Sequence, residues 1–366
     1  MTGAPVRVPL GHRAYDIHIG TGLLGSLGEL CVPVCRGRAC LVVTDSNVGP
    51  LYADACLASL RASGYEPVLA EIPAGEASKS TAQLDRLWGA ASDAGLDRRA
   101  MIVALGGGVV GDLAGFLAAS YLRGVTFVQI PTSLLAMVDS SVGGKTGINL
   151  PQGKNLVGAF HQPALVLADL SLLATLPPRE FSAGMAEVVK YGVIRDEPFF
   201  RWLEESFSCV QRREVAALER IVRRSCEIKA EVVGEDETET GVRAILNFGH
   251  TLGHAIEQAG GYGRWLHGEA ISMGMVYAGL LSEALTGFRH ADTGRLAALL
   301  RAFELPVTAP DLPWDTLLEP MRRDKKSVAR AVRFVLASQL GRVGLPQDVP
   351  TDALEAAWAR FRAFTG

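Results

Sequence analysis

The sequence lacks the features that mark membrane, secreted and nucleic-acid-binding proteins. No run approaches the roughly 20 apolar residues that a membrane-spanning helix needs, and residues 1–15 contain no apolar core behind basic residues. Charged residues make up only 20% of the 366 residues, and the net charge of -3 provides no overall attraction to nucleic acid or to an acidic membrane. We therefore expect a cytoplasmic protein with no nucleic-acid or membrane partner, whose functional charges are concentrated in local sites.

Cysteine is scarce and scattered. The six cysteines are Cys31, Cys35, Cys40, Cys56, Cys209 and Cys226. In a long chain without a secretory signal, this pattern favours free thiols over a disulfide framework. The first three are close in sequence, but no histidine or fourth cysteine lies near them, so we do not expect a zinc site there.

The chain also lacks internal repeats and low-complexity segments, and its length predicts two domains. In the first half, β-rich runs alternate with helical stretches at Leu51–Ser63 and Ser80–Ala94, which is typical of a parallel sheet covered by helices. The predicted strands are Ala39–Thr44, Pro67–Ile72, Met101–Leu105, Val125–Ile130 and Ala164–Ala168.

After Leu173 the strand signals fade. The helices predicted beyond this point are Glu180–Tyr191, Pro198–Ser206, Glu214–Val233, Gly249–Ala259, Glu269–Leu285 and Thr293–Phe303, with one late strand at Ala331–Ser338. The pattern predicts an α/β, Rossmann-like parallel-sheet domain over residues 1–174 and a mainly α-helical domain over residues 175–366.

A glycine-rich segment follows the predicted strand Met101–Leu105. Residues 106–111 read G-G-G-V-V-G and fit the pattern G-x-G-x-x-G with an additional glycine. Glycines let backbone N–H groups approach a pyrophosphate at a helix start, where the helix dipole favours negative charge. The segment therefore indicates a dinucleotide site. A tight structural turn has the same composition, and no acidic residue ends a strand about 20 positions later.

Polar side chains follow two other predicted strands. Asp45 and Asn47 come after the first, and Glu76 and Lys79 come after the second. Ligands of open α/β sheets bind at the carboxyl ends of the strands, so cofactor contacts are expected here. A cap or turn role for Asp45 or Glu76 is equally consistent with the sequence.

Three of the seven histidines, His250, His254 and His267, fall within 18 residues. The first two are four positions apart, so they share a face if the segment is helical. Glu187 lies in another predicted helix, and a His/Glu set with an open position suits zinc acting as a Lewis acid. Spacing alone leaves open which histidine binds metal and which handles protons.

Residues 139–147 and 153–155 place two lysines, Lys145 and Lys154, among glycines and hydroxyl groups. We expect a loop that binds an anion through point charges and backbone amides. It is not a P-loop, because it lacks the G-x-x-x-x-G-K spacing. Further basic residues near the proposed metal segments are Lys190, Lys229, Arg243 and Lys326.

Taken together, five segments closely resemble the 3-dehydroquinate synthase family. These segments are Gly107–Asp112, Asp139–Lys145, Gly184–Lys190, Asn247–His254 and Leu266–Glu269. The similarity runs from about Val8 to Gly341, nearly the whole chain. It implies a homodimer that uses NAD and a divalent metal, zinc or cobalt, in the shikimate pathway of aromatic amino acid biosynthesis.

The resemblance also implies roles for individual residues. The implied metal ligands are Glu187, His250 and His267. The implied catalytic residues are His254, Lys145, Lys190, Asn247 and Glu239. The implied NAD site consists of Asp45, Asn47, Glu76, Lys79, Gly107, Gly108, Val109, Asp112, Thr132, Ser133, Leu135, Asp139, Ser140, Lys145, Lys154, Thr175, Leu176 and Glu180. The implied substrate site consists of Asp139, Lys145, Lys154, Asn155, Lys190, Lys229, Glu239, Arg243, Asn247, His254 and Lys326, with Arg123 reaching the phosphate from a second subunit. The pair Lys325–Lys326 leaves that last lysine uncertain by one position.

In this family NAD transiently oxidises 3-deoxy-D-arabino-heptulosonate 7-phosphate, phosphate is eliminated, the ketone is reduced again, and an intramolecular aldol closes the ring. Other sugar-phosphate cyclases, which form 2-epi-5-epi-valiolone, 2-deoxy-scyllo-inosose or amino-dehydroquinate, are the nearest alternatives. The first two products come from substrates without a carboxylate, whereas the implied carboxylate-binding residues Lys229, Arg243 and Asn247 are present here. In addition, His254 follows Gly253, whereas valiolone-forming relatives have Ser-Pro at this place. A second alternative is a metal-dependent alcohol dehydrogenase, which would accumulate NADH with turnover. A third is a non-catalytic binding protein, which the intact histidines and Glu187 disfavour.

Overall fold

The structure is a computed structural model and describes residues 3–261, 263–323 and 332–365. The strands are β1 (Val6–Val8), β2 (Tyr15–Gly20), β3 (Ala39–Asp45), β4 (Glu66–Ile72), β5 (Met101–Gly106), β6 (Thr126–Pro131), β7 (Lys145–Leu150), β8 (Gly153–Phe160), β9 (Leu165–Asp169), β10 (Val332–Phe334), β11 (Ala337–Gln339), β12 (Arg342–Val343) and β13 (Gln347–Val349). The α-helices are α1 (Leu27–Cys31), α2 (Gly49–Ala62), α3 (Thr81–Asp93), α4 (Gly108–Ser120), α5 (Pro178–Arg195), α6 (Glu197–Gln211), α7 (Val215–Glu235), α8 (His250–Ala259), α9 (His267–Leu285), α10 (His290–Ala302), α11 (Trp314–Arg323) and α12 (Thr351–Ala363).

The chain forms two compact units. The first comprises Met1–Leu176 with Leu218–Glu237, and the second comprises Pro177–Ala217 with Thr238–Gly366. This division differs from the contiguous one drawn at residue 174, because most of α7 belongs to the first unit. Lys229 of α7 donates hydrogen bonds to Asp139 there, and the Cys226 thiol donates one to the Met137 carbonyl.

The first unit is built on a sheet with the strand order β1-β2-β9-β6-β5-β3-β4. All neighbouring pairs are parallel except β1 with β2. Every residue of β5 is buried, as is expected for a central strand of a parallel sheet covered on both faces. The five predicted strands are all present, and the predicted parallel-sheet fold is confirmed.

The prediction that Lys145 and Lys154 lie in a loop is wrong, because both residues lie in an antiparallel hairpin formed by β7 and β8. Glycine and lysine are uncommon in strands, so the composition reads as irregular. The glycines have a packing reason instead. A Cβ on Gly158 would lie 2.0 Å from the Thr146 carbonyl oxygen, so the two strands approach too closely for a side chain there.

The second unit is mainly helical, as predicted, and begins with α5. This helix starts at Pro178, earlier than predicted, because proline is tolerated in a first turn where its missing N–H has no partner to lose. From Phe181 to Ile194 all of its residues but one are buried. The late strand candidate consists of two short strands, β10 and β11, separated by Val335 and Leu336.

Among the residues that the structure describes, no helix is both long enough and apolar enough to cross a bilayer.

Candidate functional site

In the first unit, the glycine-rich turn joins β5 to the start of α4. Gly107 precedes the helix, and no side chain caps the helix start. A Cβ on Gly107 would lie 3.5 Å from the Ser133 hydroxyl, and one on Gly108 would lie 3.2 Å from the Ser140 hydroxyl. The structure thus groups four residues of the implied NAD site around the N–H groups of the first turn, where an anionic pyrophosphate is favoured.

The ends of β3, β4, β5 and β6 lie side by side at the carboxyl edge of the sheet. Asp45 ends β3, and Thr132 follows β6. Asp45 Oδ1 accepts hydrogen bonds from the N–H groups of Asn47 at 2.9 Å and Val48 at 3.0 Å. One oxygen of Asp45 is therefore occupied by the turn role that the sequence left open.

Lys79 is the buried centre of a polar network at this edge. Its ammonium donates to Asp112 Oδ2 at 2.7 Å and to Asn155 Oδ1, and it lies 3.8 Å from Glu76 Oε1. Burial alone would lower the pKa of Lys79, but the neighbouring Asp112 and Glu76 carboxylates raise it. Lys79 therefore stays charged and holds three of the implied site residues together.

Asn149 was not predicted, yet it links three members of this network. Its side-chain amide donates to Glu76 Oε1 at 2.7 Å, and its Oδ1 accepts from the backbone N–H of Asn155 at 2.8 Å. Its own N–H donates to the Lys79 carbonyl at 2.8 Å. Asn155 has a left-handed φ of 52°, so the bond to its N–H fixes a backbone conformation of limited intrinsic stability.

Lys229, implied as a substrate residue, contacts Asp139 of the same unit. Its ammonium is 2.8 Å from Asp139 Oδ1 and 2.6 Å from the Asp139 carbonyl oxygen. Only 7% of the Lys229 side chain is exposed, whereas Asp139 remains partly open to solvent. The buried cation is thus positioned by a group that itself belongs to the implied site.

In the second unit, Glu187 of α5 meets two imidazoles that stand at helix starts. His250 is the first residue of α8, His267 is the first residue of α9, and Glu187 is fully buried. The Nε2 atoms of His250 and His267 lie 3.4 Å and 3.6 Å from Glu187 Oε1. Ligand atoms bound about 2.0–2.1 Å from a tetrahedral zinc ion lie roughly 3.3 Å apart, so this spacing fits one metal ion.

The turn before α8 brings its first histidine into place. Gly249 has a φ of 80°, and a Cβ there would lie 2.5 Å from Met275 Cγ, so a glycine is required. The ring of His254 lies one helical turn farther along, 5.3 Å from the ring of His250 and 6.0 Å from that of His267. His254 is exposed while His250 is buried, a difference that agrees with a metal ligand beside a group open to substrate.

The electrostatic environment of Glu187, His250 and His267 favours a bound cation. Burial would raise the pKa of Glu187, but Lys190 and the two imidazoles hold it well below its usual range. Burial would lower the pKa of His267, yet hydrogen bonds with Glu187 and Glu257 raise it to about 10. A divalent ion replaces that proton and satisfies the same carboxylates. The carboxylate of Glu187, which is fully buried and faces Lys190 and both imidazoles, is the group that the ion would bind.

Other implied residues of the second unit also have defined positions. Lys190 is 1% exposed and its ammonium pairs with Glu187 Oε2. The Asn247 amide donates to Glu239 Oε1 at 2.8 Å, and Glu239 has a left-handed φ of 60°. Arg243 is 2% exposed.

The structure also gives the positions of the remaining implied residues. Lys145 is exposed at the start of β7, and Lys154 is partly buried in β8. Arg123 is exposed in a turn, while Glu180 lies in the first turn of α5, where burial raises the pKa of its carboxyl. The Thr175 hydroxyl is 2.6 Å from the Tyr52 hydroxyl, and Leu176 follows it. Lys325 and Lys326 lie outside the described residues.

Glu257 is a second residue that sequence reasoning missed. Its Oε2 lies 3.1 Å from His267 Nδ1, and only 7% of its side chain is exposed. It follows His254 by three residues and His250 by seven, so helical spacing places it on the face of the two histidines. This spacing is the feature of the sequence from which Glu257 could have been predicted.

Two contiguous family matches decide the assignment. The N-terminal region of 3-dehydroquinate synthase matches residues 69–183, and the C-terminal region matches residues 184–327. The chain belongs to the 3-dehydroquinate synthase family. Membership is consistent with the Glu187, His250 and His267 cluster and with the glycine-rich turn, both of which fall inside the matched residues.

Among the solved structures that are similar to this chain are two sugar-phosphate cyclases. It is 29% identical to 2-epi-5-epi-valiolone synthase (ValA) from Streptomyces hygroscopicus subsp. jinggangensis 5008, solved with NAD+ and Zn2+ bound, over 95% of this chain and 97% of that one, with a TM-score of 0.87. It is 27% identical to 2-deoxy-scyllo-inosose synthase complexed with carbaglucose-6-phosphate, NAD+ and Co2+, over 99% and 100%, with a TM-score of 0.89. The protein is therefore an enzyme of the sugar-phosphate cyclase kind.

More distant structures share the fold alone. Glycerol dehydrogenase from Schizosaccharomyces pombe is 19% identical over 95% of this chain and 89% of that one, with a TM-score of 0.67.

Proposed function

We propose that the protein is a 3-dehydroquinate synthase. It converts 3-deoxy-D-arabino-heptulosonate 7-phosphate into 3-dehydroquinate and inorganic phosphate, a step of the shikimate pathway, and it uses NAD with one zinc or cobalt ion. The family match over residues 69–327 supports the reaction class. The observation that supports this substrate over others is Arg243, a buried cation of the second unit that is suited to a carboxylate.

Burying a charged group costs several kcal/mol unless an opposite charge or strong hydrogen bonds compensate it. Arg243 is 2% exposed, and Lys229 is 5% exposed and pairs with Asp139, so each cation is held inside its own unit. The planar guanidinium of Arg243 matches a carboxylate through two parallel hydrogen bonds. Substrates of the alternative cyclases that form valiolone or inosose carry no such carboxylate.

When bound, NAD accepts and returns a hydride, and the metal polarises alcohol oxygens of the substrate. Glu187, His250 and His267 hold the metal. The first-turn N–H groups of α4, with the Ser133 and Ser140 hydroxyls beside Gly107 and Gly108, hold the cofactor pyrophosphate.

The chain's own side chains manage the phosphate and the protons. Lys145, Lys154 and Asn155 are the groups of the first unit suited to a phosphate, and the exposed His254 is the group of the second unit suited to hold a proton for it. The Asn247–Glu239 pair and Lys190 orient the ring oxygens. Two of these groups are fixed by a neighbour, Asn155 by Asn149 and Asn247 by Glu239.

A homodimer completes the proposal, with Arg123 contacting the phosphate bound by the other subunit. Arg123 and Leu122 have consecutive left-handed φ values of 68° and 49°, and both side chains are exposed. Such backbone strain persists where the surroundings fix it and is concentrated at functional sites.

A substrate panel with an Arg243→Met variant tests the choice of substrate. Wild-type protein loaded with metal and NAD should release phosphate from 3-deoxy-D-arabino-heptulosonate 7-phosphate and leave sedoheptulose 7-phosphate unchanged. Because hydrogen bonds to charged groups contribute about 1.5–3 kcal/mol, R243M should lower kcat/KM for the heptulosonate by roughly 10–150-fold.

Arg201→Met is the matched control, since Arg201 is 60% exposed and pairs with Glu197 on α6. This variant should keep wild-type kinetics. Turnover of sedoheptulose 7-phosphate or of an amino analogue in place of the heptulosonate would contradict the proposal, and so would net accumulation of NADH.

A further inference from the structure

The metal ligands need their own positioning groups, because an imidazole binds a metal in a defined orientation only when its other nitrogen is fixed. His250 meets this requirement through the backbone, since its Nδ1 lies 3.2 Å from the Phe248 carbonyl oxygen. His267 begins α9, and its Nδ1 lies 3.1 Å from Glu257 Oε2. In both residues the contact at Nδ1 leaves Nε2 facing Glu187.

We propose that Glu257 is a positioning residue of the metal centre, which holds the His267 ring so that Nε2 points at the ion. Nδ1–H donates to the carboxylate of Glu257, and this fixes both the tautomer and the rotation of the ring. The inference rests on the metal part of the proposed function and on no particular substrate.

The surroundings of Glu257 support this role. Its side chain is 7% exposed, whereas its neighbour Gln258 on the same helix is exposed. A buried carboxylate is retained where it has a partner, and His267 provides one. The contact also joins the end of α8 to the start of α9, where His267 lies.

A different role for Glu257 is possible on geometry alone, because His254, Glu257 and His267 also bring their ligand atoms within 4.8 Å of one another. In that arrangement Glu257 would itself bind the ion. The structure favours positioning, because Nδ1 of His267 already lies at hydrogen-bond distance from Glu257 while Nε2 faces the buried Glu187.

Metal affinity of the apo-protein distinguishes the two roles without any substrate. The affinity for Zn2+ and Co2+ is measured by competition with a chelator in wild-type protein and in Glu257→Ala, Glu257→Gln, Gln258→Ala and Glu187→Gln variants. Loss of a group that orients a ligand typically lowers metal affinity about 10–100-fold, so we expect that loss in E257A. E257Q should lose less, because its amide oxygen still accepts from Nδ1–H, and Q258A should match wild type.

The visible spectrum of bound Co2+ gives a second readout that a purely structural role would not move. It reports the ligand set, so E257Q should keep the wild-type intensity. E257A should shift the spectrum, because its His267 ring is free to rotate. Circular dichroism of the apo-proteins checks that each variant is folded.

Three outcomes would overturn the inference. Wild-type affinity in folded E257A would show that Glu257 does not position the ligand. Equal loss of metal in E257Q, E257A and E187Q, with an altered Co2+ spectrum in E257Q, would make Glu257 a ligand. Failure of the wild-type protein to bind either metal would contradict the proposed function as well, whereas the first two outcomes leave that function intact.

Discussion

At the scale of single residues, the metal-binding cluster combines side chains from three helices of the second unit. Glu187 is buried within α5, and His250 and His267 begin α8 and α9. Because His250 and His267 each begin a helix, their backbones are held in place, while the rotation of their side chains lets both rings point toward Glu187. A buried carboxylate requires positive charge nearby, which Lys190 supplies to Glu187 and to which a bound metal ion would add.

Sequence could predict these residue identities but not all of their partners. Clustered histidines and the resemblance indicated Glu187, His250 and His267. Asn149 was not predicted because it acts through contacts with residues distant in sequence, whereas Glu257 was missed although its helical spacing from His250 and His254 was a signal. Asn149 bonds to Glu76, 73 positions away, and no local pattern encodes that pairing.

Asn149 carries a residue-scale prediction for the first unit. Asn149→Ala removes the hydrogen bond to the Glu76 carboxylate and the one from the Asn155 N–H. Since a hydrogen bond to a charged group contributes about 1.5–3 kcal/mol, the KM for NAD should rise by roughly tenfold or more. Gln152→Ala, an exposed position in the adjoining turn, should leave that KM unchanged. An unaltered KM in N149A would show that the network does not support cofactor binding.

At the scale of secondary structure, continuous apolar runs predicted the central strands well. A central parallel strand is buried on both faces, so its sequence is apolar throughout, as in β5. The strands β1, β2, β7 and β8 were missed. Tyr15–Gly20 alternates apolar and polar residues over a short span, and the glycines of the hairpin resemble a loop until the close approach of its strands is seen.

Close helix packing at the metal cluster gives an element-scale prediction. A Cβ on Gly274 of α9 would lie 2.0 Å from the Gly249 carbonyl oxygen, which directly precedes His250. Overpacking of this kind typically costs about 1–3 kcal/mol. Gly274→Ala should therefore lower the free energy of unfolding by that amount and weaken metal binding, since His250 must move.

Gly294→Ala in α10 is the control, because no atom lies within 4 Å of a Cβ there. Alanine is favoured over glycine inside a helix by roughly 0.5–1 kcal/mol, so this variant should be neutral or more stable. Denaturant unfolding with metal titration measures both effects. Unchanged stability and metal affinity in G274A would contradict the packing account.

At the scale of the whole molecule, the sequence predicted the family and the combination of a parallel sheet with a mainly helical part, whereas the residues that make up each compact unit follow from tertiary contacts. Residues 218–237 join the first unit, although they lie in the helical half of the sequence. The reason is tertiary contact, such as that between Lys229 and Asp139, which periodicity does not report.

The proposed dimer is tested by mixing two inactive variants. Arg123→Ala and Glu187→Gln proteins are each expected to have little activity. If Arg123 acts on the neighbouring subunit's phosphate, a mixed dimer contains one site with both residues intact. Random reassortment in a two-fold dimer should then restore about one quarter of wild-type activity. If Arg123 acts within its own subunit, every site of the mixed dimer keeps one lesion, and activity should stay low.

The central claim is that the protein recycles NAD while it closes a carboxylated sugar phosphate into a ring. The most direct measurement follows phosphate, 3-dehydroquinate and NADH together after wild-type protein, NAD and Zn2+ or Co2+ are mixed with 3-deoxy-D-arabino-heptulosonate 7-phosphate. The account predicts that phosphate and 3-dehydroquinate form in equal amounts over many turnovers, with no net NADH. Net NADH that rises with turnover, or no release of phosphate from this substrate by metal-loaded protein, would contradict it.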